Sequence, residues 1–177
     1  MKRSDVDAGP SGDLRRIWRQ NERKIVEDAE ALKTALSRLR FEGRQHYTRN
    51  LQRAESALSI LRERISGHIQ HEEKSLFPFL SSHLPKFEST QLLFLYEHRE
   101  FTSLLQRITR NLKRMKARFP NDRTGFMAHE AFTDGMHLVG LLMSHLKVES
   151  RGLHRSVHRD LRADEKKSLL RILNLNS

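Results

Sequence analysis

Residues 67–80 read GHIQHEEKSLFPFL. His68 and Glu72 are four residues apart, so on a helix they project from one face, about 6 Å apart along the axis. The same line carries Leu58, Leu61 and Ile65 before them and Leu76 (or Ser75) and Phe79 after them. A histidine and a carboxylate therefore stand where leucine ordinarily fills a core. His71 falls on the shoulder of that face and Glu73 points away from it.

The flanking sequence sets the fold. Apolar residues recur at 3-and-4 spacing, β-branched residues never alternate over a strand-length run, and Gly and Pro act as punctuation. A first helix is expected from about Asp13 to Phe41, with Leu14, Ile17, Trp18, Ile25, Ala29, Leu32, Leu36 and Leu39 inward. A second runs from about Gln45 to His83, and Pro78, which cannot donate to the carbonyl of Lys74, should kink or unwind its last turn. A third spans roughly Glu88–Arg118 and a fourth Phe126–Arg159, with FPNDRTG as the loop between them. Four long amphipathic helices with short connections predict an all-α, antiparallel up-down four-helix bundle over residues 13–160. Residues 1–12 are expected to be a disordered leader, and residues 161–177 a short C-terminal helix packed on the bundle.

Composition narrows the chemistry. With 177 residues the chain can bury a core unaided. It has no cysteine, which removes disulfides, thiolate metal sites and iron–sulfur clusters together. Any metal must be held by His, Asp and Glu, which suits iron, zinc or manganese. No apolar run approaches a membrane span and the N-terminus lacks a secretory pattern, so a soluble, cytoplasmic protein is expected. The net charge is +11 and the pI about 10.5. The basic residues lie on every helix and are interleaved with acids. They read first as a solvated exterior, and second as a surface for nucleic acid or an acidic partner.

The pattern of the second helix recurs. On the fourth, His145 and Glu149 follow Leu138, Leu141 and Leu142 and precede Leu153. On the third, His98 lies in line with Phe94, Phe101 and Leu105. Three helices thus each place a histidine on the core face, and two add a carboxylate one turn later. Two carboxylates on stripes without Lys or Arg cannot be buried ionised unless something compensates their charge. A divalent or trivalent cation does so, and imidazole with carboxylate is a ligand set that iron and zinc accept. His68, Glu72, His98, His145 and Glu149 are the candidate metal ligands. Glu97, at the edge of its stripe, and His71 are candidates to orient them from outside.

These segments resemble the hemerythrin-like, or HHE cation-binding, domains. The resemblance rests on HEEKSLFPFL (71–80) with His68, on EHREFTSLL (97–105) and on HLKVESRGL (145–153), and covers the chain after the leader. It implies a four-helix bundle holding a non-haem di-iron centre, with Glu72 and Glu149 as bridges and His68, His98 and His145 as terminal ligands. The family also places a histidine on its first helix. The matching stretch here is IWRQNERKI (17–25), whose core-facing position is read as Asn21, a weak ligand at best. Three functions are consistent with this. The leading one is an iron protein that binds or senses O2, NO, or redox or iron state. The second is a di-iron enzyme: an oxidase, a peroxide- or NO-consuming activity, or iron donation for repair. The third is a basic bundle whose metal site has degenerated. No separate substrate pocket, nucleophile or acid–base pair is legible, so whether the chain is an enzyme stays open. Oligomeric state is not legible either.

Overall fold

A computed structural model describes residues 10–117 and 122–175. Five rods account for almost all of them. The first is α1 (Pro10–Phe41). The chain leaves it through Gly43, whose φ of 76° and ψ of −174° form a conformation open at low cost only to glycine. The second rod is α2 (Tyr47–His71), a π-turn at Glu72–Leu76 and α3 (Phe77–His83). The third is α4 (Glu88–Lys116). The fourth is α5 (Asp122–Val148), a second π-turn at Glu149–Leu153 and α6 (His154–Asp160). The short C-terminal rod is α7 (Ala163–Leu175), packed against α1 and the first π-turn. No strand occurs among the described residues, and the all-α bundle stands as expected. Helix starts move by a few residues: α1 begins at Pro10 and α5 at Asp122, so part of the expected loop at 119–125 is helical. The leader expected at 1–12 falls mostly outside the described residues.

The expected disturbance at Pro78 is a widening rather than a kink. The N–H of Phe77 bonds the carbonyl of Glu72, five residues back, and the helix then resumes through the proline. An equivalent π-turn, closed by the N–H of His154 on Glu149, interrupts the fourth rod without any proline. Both wide turns begin at a carboxylate of the candidate site.

The core divides into two apolar clusters. One holds Ile25, Leu32, Leu61, Ile65, Phe101, Ile108 and Leu142 among others, and the second Leu14, Trp18, Leu76, Phe94, Leu153, Val157 and Leu173. Each of the four long rods passes from one cluster to the other, and the polar residues of interest lie at the crossing. Close approach of α1 and α5 in the first cluster depends on Gly135. A Cβ there would lie 2.3 Å from the δ-methyl of buried Leu36. Among the described residues no helix is long and apolar enough to cross a membrane.

Candidate metal centre

At the crossing, α2 contributes His68, the first π-turn Glu72, α4 His98 and α5 His145. Each of the four offers a ligand atom within 4.8 Å of the others. Glu72, His98 and His145 are almost wholly buried, and His68 is 11% exposed at its side chain. Glu72 Oε2 lies 3.0 Å from His98 Nε2, 3.4 Å from His68 Nε2 and 3.7 Å from His145 Nε2. Three imidazole nitrogens thus converge on one carboxylate oxygen from three helices.

The far side of two of these rings is fixed. His98 Nδ1 lies 2.8 Å from Glu73 Oε1, and His145 Nδ1 lies 2.7 Å from Glu97 Oε2. When Nδ1–H donates outward to a carboxylate, Nε2 is left as a lone-pair donor aimed inward. Glu97 therefore stands where the helical wheel suggested. Glu73, read as facing away, reaches a ring on the neighbouring helix. Aromatic rings dry the surroundings: Phe94 and Phe101 have centroids 4.5 and 5.3 Å from that of His145, and Phe77 stacks on His98 at 6.0 Å.

A second cluster adjoins the first. Glu22 of α1, Glu149 of the second π-turn and His154 of α6 also bring ligand atoms within 4.8 Å of one another. His154 Nε2 is 3.1 Å from Glu149 Oε1, and its Nδ1 is 3.3 Å from Glu22 Oε1. The two clusters meet where His68 Nε2 is 3.7 Å from Glu149 Oε2. Trp18 stacks flat on His154, ring centroids 3.9 Å apart.

Two sequence readings change here. Asn21 is exposed, and the residue that α1 turns toward the centre is its neighbour Glu22. A wheel fixes the relative directions of residues on α1 but not how the whole helix is rotated against its neighbours, which decides between positions at the edge of a stripe. His154, read as a surface residue, is half-buried in the cluster. Five residues after Glu149, it would point elsewhere on an unbroken α-helix. The π-turn makes five residues close one turn and brings it round. Glu149 remains at the centre, while His71 is half-buried on the wall of a cavity beside His68.

The electrostatics of this layer are unbalanced. Both oxygens of Glu72, Glu149 Oε2, Glu22 Oε1 and His98 Nε2 are buried without a hydrogen-bond partner. Burial pushes the Glu72 carboxyl up, yet His68, and then His145 and His98, outweigh it and hold it well below the usual carboxylate range. Burial likewise pushes His145 down, and the carboxylates of Glu72, Glu97 and Glu149 outweigh it and raise it. Glu22 is raised by desolvation, opposed by His154. Five orphaned buried polar atoms facing one layer are costly alone and are the donors a cation requires. Nitrogen-rich on one side and oxygen-rich on the other, the layer fits transition-metal ions.

Comparison with known families agrees with this geometry. A family model, the Hemerythrin HHE cation binding domain, matches residues 13–157. The chain belongs to that family. No curated protein and no solved structure matches it. In this hemerythrin-family chain the matched span begins ahead of Glu22 and includes His154, so it takes in both clusters.

Proposed function

We propose that the two clusters form one non-haem dinuclear iron centre through which the protein binds or senses O2 or NO, or reports redox or iron state. One ion would be held by His68, His98, His145 and Glu72, and the other by Glu22, Glu149 and His154. Glu72 and Glu149, which keep buried oxygens without hydrogen-bond partners, would be shared between them. The observation that carries this reading is the set of orphaned ligand atoms converging from four rods in a dry layer. Iron, when bound, supplies electrons and open coordination positions for a diatomic ligand. The chain's own residues do the rest. Glu73 and Glu97 hold two imidazoles with Nε2 inward, and the phenylalanines keep water out. The two π-turns tie each carboxylate to the helix beyond it, so a change in carboxylate position is passed to α3, α6 and α7. Zinc and manganese suit the same donors, and metal analysis decides among them.

One observation favours the enzyme reading as a second. A cavity of about 660 Å3 lies between α1 and α2 against His68, with Asn21, Lys24 and His71 on its wall. It exceeds the needs of a diatomic and lies in the range of small-molecule sites. Stopped-flow spectra of the anaerobic ferrous protein mixed with O2 and with NO test the two together. A stable spectrum that reverses on removal of the gas supports binding or sensing. Rapid oxidation with repeated turnover supports the enzyme, and no spectral response to either gas contradicts both.

A further inference from the structure

The seam between α2 and α4 holds an open groove of about 480 Å3, away from the carboxylates of the metal layer. The two helices run antiparallel. Tyr47 at the start of α2 bonds the carbonyl of Met115 at the end of α4, and Glu73, just past α2, meets His98. Along this seam Ser66, Thr102 and Gln106 occupy positions where leucines would have closed the contact. The floor is apolar, made by Ile65, Ile69 and Leu105.

The chemistry of the groove changes along its length. Arg62, Arg110 and Lys113 rim one end, while Ile69 and Thr102 form the other, next to the metal layer. From Arg62 to Ile69 is about 10 Å of helix and from Thr102 to Lys113 about 16 Å. None of the lining residues is acidic. None of the three cations has a hydrogen bond or ion pair with any described residue. Elsewhere on the surface, cations such as Arg23, Lys33, Arg107 and Arg162 are satisfied by Glu27, Glu30, Asp134 and Glu165. Three uncompensated cations at one end of an apolar trench select a molecule that is anionic at one end and apolar along the rest.

We propose that this groove binds a free single-chain organic anion, with a carboxylate or sulfate head between Arg62, Arg110 and Lys113 and an apolar chain laid over Ile65, Ile69 and Leu105. The chain end reaches Ile69, which follows His68, and Thr102, whose hydroxyl donates to the carbonyl of His98 at 3.0 Å. An occupied groove therefore presses on the backbone of two candidate metal ligands. The site itself does not depend on the metal reading and exists in protein stripped of metal.

The test is titration calorimetry of the full chain with monomeric laurate, run beside three controls. These are dodecyltrimethylammonium (same chain, opposite charge), acetate (charge without chain) and phosphatidylglycerol vesicles. One laurate per chain is expected, with no comparable heat from the first two controls. The double variant Arg110→Glu/Lys113→Glu should weaken laurate by roughly tenfold or more. Ser66→Phe, which fills the trench from an exposed position, should abolish it. Circular dichroism of both variants checks the fold, and surface charge reversal gives a folded reading even where the larger side chain does not. Equal binding of the cationic amphiphile would reduce the groove to an adhesive apolar surface and overturn the proposal. So would laurate binding that both variants leave intact, or vesicle binding without laurate binding. Absence of laurate binding overturns it outright.

Discussion

The two halves of the polar layer hold their histidines in opposite ways. In the half formed by His68, Glu72, His98 and His145, two rings are clamped from outside by Glu97 and Glu73 and present Nε2 to a single carboxylate oxygen. In the half formed by Glu22, Glu149 and His154, the one ring lies between two carboxylates, one on each nitrogen, under the indole of Trp18. The first arrangement is preorganised for a cation, with lone pairs aimed and the rings fixed. The second offers a single ring nitrogen donor, and both nitrogens of that ring already contact carboxylates, so a cation there must break those contacts. The nitrogen-rich half should therefore fill first and hold its ion more tightly.

Substitutions can break that contrast. Glu72→Ala carries the largest expected effect, because all three imidazoles converge on its carboxylate and the proposed centre shares it between both ions. Both ions should be lost, and elemental analysis after purification should find none. Metal-free His145→Asn probes the ion pair within the first half. Glu72, with a lowered value, contributes stability that is present above pH 4.5 and lost as the pH falls through its folded value. His145, with a raised value, contributes stability that is present below pH 6.5 and lost as the pH rises through its folded value. The deficit in melting temperature of His145→Asn should therefore be greatest between these limits and shrink as the pH rises through the folded value of His145. A deficit that grows with pH would mean the ring is buried neutral.

His154→Ala should remove the second ion and spare the first, halving the metal content. Loss of both would show that the halves do not fill independently. Glu97→Gln keeps the shape but weakens the outer clamp on His145, and metal affinity should drop by about 10–100-fold, measured by chelator competition. Asn21→Ala has the smallest expected effect. The side chain is exposed, and unchanged metal content and unchanged melting are predicted.

The contrast also explains what the sequence revealed. Every residue of the nitrogen-rich half lies on a helix still in α phase where it contributes, so 3.6-residue periodicity places His68, Glu72, His98 and His145 on the core face. The bundle was legible for the same reason. The other half depends on two features that periodicity cannot see. One is the choice between adjacent Asn21 and Glu22 on α1, settled by how α1 rotates against its neighbours. The other is the π-turn at Glu149–Leu153, which changes the phase of everything after it and turns His154 inward. Pro78 signalled a disturbance of the second rod, though as a kink or unwinding rather than a π-turn, and nothing comparable signals the π-turn in the fourth. Glu73 was missed because its partner, His98, belongs to another helix.

If both halves hold a cation, the metal-to-protein ratio must show it. Elemental analysis of protein reconstituted with ferrous iron under anaerobic conditions, desalted and assayed against amino-acid concentration, should give close to two ions per chain. A ratio that saturates at one or below would contradict a dinuclear centre and leave Glu22, Glu149 and His154 as a metal-free cluster beside a single ion.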